Sequence, residues 1–123
     1  VSDVIPEDAD FTETIFMHPT ILFRYSAIGF VGHRIHYDYP YTKNEENYPD
    51  LIVHGPLQAT FLLRAAEKLK GKSVTSFNHK VMAPVFANSD YIIGAKENSD
   101  GSITCWGAVK GSGMTMQAEA HFE

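Results

Sequence analysis

The stretch Gly55-Pro-Leu-Gln-Ala-Thr-Phe-Leu-Leu-Arg-Ala-Ala-Glu-Lys-Leu-Lys-Gly71 decides the fold. Glycine followed by proline is a good helix start, because proline at the first position gives up only an N–H that no turn would use. Lys70-Gly71 is the matching stop: cations stand near the carbonyl end, and glycine takes the left-handed conformation at no steric cost. Between these signals Leu57, Ala59, Phe61, Leu62, Leu63, Ala65 and Ala66 leave the first turns apolar nearly all round. A helix over 56–70 that is apolar on most faces is buried on most faces.

After Gly71 the apolar period changes from helical to two, which predicts strands at 73–82, 91–96, 103–110 and 114–122. In the last of these Met114, Met116, Ala118, Ala120 and Phe122 alternate with Thr115, Gln117, Glu119 and His121. Asn98-Ser-Asp-Gly101 reads as a hairpin turn, and Gly111-Ser-Gly113 turns the chain again. Upstream, Phe11–Met17 makes an earlier strand that His18-Pro19 ends, and Thr20 is expected to cap a helix over 21–28. The Tyr-, Gly- and charge-rich region 29–48 predicts turns and a short helix over the sheet edge. The sum is α+β: one long engulfed helix, then an antiparallel meander of about four strands, with one earlier strand to add. A lone helix apolar on nearly every side must be wrapped by its sheet, which describes a hot-dog fold.

At 123 residues the chain is one domain with room for one core. Residues 1–10 are acidic and without period, and are expected to be a mobile lead-in to a single domain over 11–123. The net charge of -5, with scattered Lys and Arg, argues against nucleic acid or an anionic membrane surface as partner. No window approaches the roughly 18 apolar residues of a membrane span. The single cysteine, Cys105, excludes an internal disulfide and fits a reducing compartment. The opening residues lack a signal- or transit-peptide pattern, and a cytoplasmic location is expected.

The chemistry-bearing residues fall in two pieces. Phe30-Val-Gly-His-Arg-Ile-His-Tyr-Asp38 clusters His33, His36 and Asp38, and Leu51-Ile-Val-His-Gly-Pro-Leu57 runs through a His-Gly-Pro turn into the helix. An imidazole titrates near neutrality and suits general base work. A helix N-terminus offers unpaired amides and a dipole that favour developing negative charge. Gly55 would let a substrate carbonyl approach closely; Pro56 has no N–H, so the usable donor is that of Gly55 or Leu57. The His33/His36/Asp38 spacing fits no well-attested zinc pattern, and no metal is expected.

In order and combination, Leu22-Phe-Arg-Tyr-Ser-Ala27, Gly32-His-Arg-Ile-His-Tyr-Asp38, Tyr48-Pro49, Ile52-Val-His-Gly-Pro-Leu57 and Met82-Ala-Pro-Val-Phe86 resemble the MaoC-like hot-dog domains. That family holds (R)-specific enoyl-CoA hydratases and 3-hydroxyacyl thioester dehydratases, and the likeness is closest to its mesaconyl-CoA hydratase-like branch. The resemblance implies a hot-dog dimer or higher oligomer, homomeric or heteromeric, a thioester substrate on CoA or an acyl carrier protein, and no metal or organic cofactor. It places His36 on the family's catalytic histidine and Gly55 on the glycine whose N–H faces the thioester carbonyl. The family's other catalytic position, Asp in the hydratases and Asn in this branch, is Val31 here.

The expected activity is therefore hydration or dehydration of a small acyl thioester, with His33, Arg34, His54 and Leu57 as further substrate contacts. Arg34 is placed to meet a distal carboxylate or a CoA phosphate, or else to pair with Asp38 or the Glu45-Glu46 region. His54 is expected to bond backbone across the helix start. Because valine neither donates nor accepts, a non-catalytic thioester-binding or partner subunit is the alternative. A thioesterase ranks below both, since the first turns of the helix offer Gln58 and Thr60 but no carboxylate.

Overall fold

The computed structural model describes Ile5 and residues 8–122. Strand β1 (Phe11–Phe16) leads into helix α1 (Pro19–Ile28); a single 3₁₀ turn at Arg34–His36 and a short α2 (Tyr39–Asn44) precede the long α3 (Gly55–Lys70). Strands β2 (Ser76–Val81), β3 (Asp90–Glu97), β4 (Ile103–Val109) and β5 (Gly113–His121) follow. All pairings are antiparallel in one sheet ordered β1-β3-β4-β5-β2. The expected four-strand meander is thus three strands, β3-β4-β5. β2 precedes the meander in sequence but pairs with β5 at the far edge, opposite β1. Its sequence alternates less cleanly than that of β5, and most of it is exposed.

The helix signals act as read, with one correction. Gly71 ends α3 at φ 75, in the left-handed region, and its N–H closes on the Glu67 carbonyl at 2.8 Å. In α1 the cap is His18, not Thr20, because Pro19 takes the first helical position. Asp38 caps α2 by accepting the Tyr41 N–H at 3.1 Å.

The core forms where α3 lies on the sheet. Leu57, Leu62, Ala65 and Ala66 from the helix meet Tyr91, Ile93, Ala95, Ile103, Cys105, Met116, Ala118 and Ala120. Ala59, Phe61 and Leu63 are only partly buried in the single chain. Cys105 is fully buried, and loss of hydration pushes its thiol up to about 12. On the other face of the sheet the indole of Trp106 lies across Gly94, where a Cβ would collide with it.

Of the expected lead-in, residues 1–4, 6 and 7 lie outside the described residues. Its last part is fastened to β3: the Asp10 N–H donates to the Ala95 carbonyl at 2.8 Å, and Asp8 pairs with Lys96 at 3.2 Å. Among the described residues no helix is long and apolar enough to cross a membrane.

Candidate functional site

The extended segment before α3 laces the site together. The Val53 N–H donates to the Val85 carbonyl and the Ala87 N–H to the Leu51 carbonyl, both at 2.8 Å. Ile52 forms an isolated bridge with Phe86, and its N–H donates to the Ile35 carbonyl at 2.9 Å. The Ile52 carbonyl accepts from His36 Nδ1 at 2.6 Å. A carbonyl only accepts, so in the neutral ring the proton sits on Nδ1 and Nε2 carries a bare lone pair. Nε2 has no hydrogen-bond partner among the described residues and is not buried. Burial pulls the His36 pKa below 6.5, the Ile52 carbonyl partly offsets this, and His33 adds to the fall.

The His54 ring stacks on His36, with centroids 3.8 Å apart and planes 18° from parallel. The Tyr25 ring stands 4.6 Å from that of His54, tilted by 57°. His54 Nε2 meets the Ser26 hydroxyl at 2.8 Å, so this histidine bonds a side chain of α1 rather than backbone across the helix start. Its Nδ1 is buried without a partner. An orphan acceptor costs less than an orphan N–H, which favours the tautomer with the proton on Nε2, donated to Ser26. Desolvation first, then the neighbouring His36, lower the pKa of His54 to about 4.

His36 and Gly55 open on one cavity of about 470 Å³, also lined by Tyr48, Ile52, Val53, Gln58 and the wall Val81–Pro84. Gly55 is the first residue of α3, so its N–H has no intrahelical partner. One turn further in, Gln58 is 2% exposed. Its Oε1 accepts from the Tyr91 hydroxyl at 3.2 Å and from Thr115 at 3.2 Å; the Thr115 hydroxyl also reaches the Gly107 carbonyl at 3.3 Å. Burial holds the Tyr91 phenol above its ordinary pKa, so it is a neutral donor. Its hydroxyl occupies the space above Gly107 that a Cβ would take.

Thr115 faces inward through a β-bulge. Gly107 pairs with Met116 but Ala108 pairs with Met114, which leaves Thr115 as the extra residue on β5. The simple alternation puts Thr115 on the outer face; the bulge turns it in, to 2% exposure. Its carbonyl accepts from the N–H groups of Met82 and Ala83, at 2.8 and 3.1 Å, and so fixes the cavity wall. Glycine inside a strand, as at 107, is the signal that could have flagged this bulge.

The other expected contacts lie elsewhere. Arg34 points away: Nε and Nη2 donate to Asp38 Oδ2 at 3.0 and 2.8 Å, and the guanidinium lies 4.0 Å over the Tyr41 ring. That is the Asp38 pairing weighed as the other reading of Arg34, and Arg34 is not among the residues that line the cavity. Leu57 is a buried core residue and does not line the cavity. His33 is exposed and stands edge-on to His36 at 5.8 Å, without lining the cavity. Val31 borders a separate hollow of about 180 Å³ with Phe23, Ser26, Ala27, Gly32 and Tyr37. Its N–H is fixed on the Ser26 carbonyl at 2.8 Å.

The family profile described as hydroxyacyl-thioester dehydratase type 2 matches residues 2–87, a span that carries both histidines and the start of α3. The chain belongs to this family. The mesaconyl-C(4)-CoA hydratase of Chloroflexus aurantiacus is 42% identical over 89 residues, which cover 72% of this chain and 32% of that protein. The mitochondrial hydroxyacyl-thioester dehydratase type 2 of Schizosaccharomyces pombe is 37% identical over 73 residues, covering 57% and 24%. The chain thus spans about a third or less of the length of these relatives. In fold it is similar to the (R)-hydratase from A. caviae, with a TM-score of 0.78 at 14% identity over 94% of each chain. The hot-dog fold of this dehydratase-family domain follows from that likeness.

Proposed function

We propose that this domain hydrates a 2-enoyl thioester, or runs the reverse dehydration, with His36 as general base and the Gly55 N–H polarising the thioester carbonyl. The observation that carries the reading is one cavity shared by an accepting imidazole nitrogen and an unpaired amide at a helix N-terminus. In hydration, His36 Nε2 takes a proton from water as its oxygen bonds to C3. The charge that builds on the thioester oxygen meets the Gly55 N–H and the positive end of α3. The imidazolium then returns a proton to C2. No described side chain in the lining other than His36 is a ready base.

The substrate carrier is CoA or an acyl carrier protein, and the domain works paired with a second hot-dog fold, the same chain or another. The large exposed apolar side chains Phe23, Ile28, Phe30 and Val81 supply surface for such pairing. Val31 supports a second reading, a thioester-binding partner without turnover, since no polar side chain stands at position 31.

The test is a spectrophotometric assay over a panel of enoyl-CoAs with the wild type and His36→Ala. Losing a general base costs about 10²–10⁴-fold in rate. Turnover that falls by this much in His36→Ala, with the thermal melt retained, supports the enzyme. Binding of enoyl-CoA without wild-type turnover supports the partner reading, and thiol release without hydration points to a thioesterase.

A further inference from the structure

We infer that Gln58 is a specificity-determining residue whose amide N–H groups receive an oxygen carried by the acyl part of the substrate. The inference rests on the thioester reading above but adds a substrate class to it: short acyl groups bearing a carbonyl or carboxylate oxygen, in preference to plain hydrocarbon acyl groups.

Four observations carry it. Gln58 is 2% exposed, yet it lines the cavity, so the little surface it keeps faces that space. The Tyr91 hydroxyl behind it donates to Oε1, and the single Thr115 hydroxyl proton is shared between Oε1 and the Gly107 carbonyl. That fixes the carboxamide and leaves Nε2 with two N–H groups and no partner among the described residues. Unlike the enclosed His54 Nδ1, Nε2 keeps some accessible surface, and the cavity is the space that Gln58 borders. A buried carboxamide held by two hydroxyls and a bulge is a fixed donor, not a solvated side chain that swings out of the way.

The placement sets what it reads. Gln58 sits one helical turn past Gly55, against the sheet, so it lies deeper than the amide at the mouth. A thioester carbonyl at Gly55 therefore sends its acyl carbons toward Gln58. A plain hydrocarbon chain arriving there strips water from two N–H groups and returns nothing, which is how buried polar groups reject ligands lacking their partner. An acceptor oxygen restores those bonds. The lining contains neither Lys nor Arg, so recognition is by donors and the helix end rather than by an ion pair.

The experiment measures binding, so it does not depend on turnover. Butyryl-, acetoacetyl- and succinyl-CoA have four-carbon acyl groups, respectively with no added oxygen, a ketone and a carboxylate. Isothermal titration of the wild type is expected to show at least one oxygenated ester binding tenfold or more tighter than butyryl-CoA, and which one it is names the oxygen. Q58L should remove that preference. Q58E keeps an acceptor for Tyr91 and Thr115 but turns oxygen toward the cavity, and should bind the oxygenated esters worse than it binds butyryl-CoA. Equal binding of all three esters by the wild type, or a preference that survives in both variants, overturns the assignment and leaves the thioester reading standing. If no CoA ester binds, the thioester reading falls and takes the assignment with it.

Discussion

Mild acid should destabilise this domain through one histidine. His54 is 2% exposed, with Ser26 on Nε2 and no partner on Nδ1. Protonation would put a buried N–H on Nδ1 with nothing to accept it, and a cation 3.8 Å from the ring of His36. The folded pKa is accordingly about 4 against 6.5 in the free side chain. Between these values the unfolded chain holds a proton that the folded chain does not, so stability falls as pH falls through the window. At about 1.36 kcal/mol per tenfold change in proton affinity, the whole interval amounts to about 3 kcal/mol. That is a large share of the 5–15 kcal/mol that holds a typical domain. His36, also lowered by burial, adds a smaller loss of the same sign. Asp38 and Asp100 have pKa values below 3.8, held down chiefly by hydrogen bonds from the Tyr41 N–H and from Ser102, and their stabilisation is lost only at still lower pH. Urea titrations at pH 7, 6, 5 and 4.5 at constant ionic strength should show the midpoint falling with an unchanged slope. His54→Phe should flatten most of that fall, even where it lowers stability at pH 7. A wild-type midpoint constant from pH 7 to 4.5, or an equal fall in His54→Phe, refutes the reasoning.

Two further outcomes follow from the same geometry. If His36 acts as base, kcat/KM for hydration should drop on the acid side with an apparent pKa below 6.5, because the buried ring resists its proton; a limb above 6.5 would contradict its surroundings. Gly107→Ala should cost about 1–3 kcal/mol in chemical denaturation, as overpacking does, because the new methyl meets the Tyr91 hydroxyl; a change under about 0.5 kcal/mol would show that Tyr91 is not fixed there.

Helix α3 was legible in the sequence because its ends carry strong local signals: proline at the start, and a glycine that only a left-handed stop requires. The β3-β4-β5 meander was legible because hairpin turns are local. The place of β2 was not, since its partner lies about forty residues away along the chain and no local pattern names it. The site divides in the same way. His36 and Gly55 stand in short motifs whose chemistry shows in the residue types, and they do meet in one cavity. Arg34 left two readings open in the sequence, a ligand or a neighbouring carboxylate, and in the fold its guanidinium pairs with Asp38 four residues on. Gln58 looked like an ordinary helix residue, and Thr115 looked outward-facing. Gln58 borders the cavity and Thr115 backs it through tertiary facts, a bulge and the missing side chain at Gly107, that alternation does not encode.

The aim of the imidazole is set by Ile52, which in turn is held by Ile35 and Phe86. The chain between Tyr37 and Asp50, α2 included, lies outside that set of backbone bonds and is tied instead to the 3₁₀ turn, through the Arg34–Asp38 pair and the buried Thr42 hydroxyl. Segments of other lengths grafted into it would reshape the rim that Tyr48 contributes while leaving the reactive ring pointed as before. If His36 is the base proposed above, one geometry could in this way be fitted to acyl groups of different bulk by changing nothing but the cover.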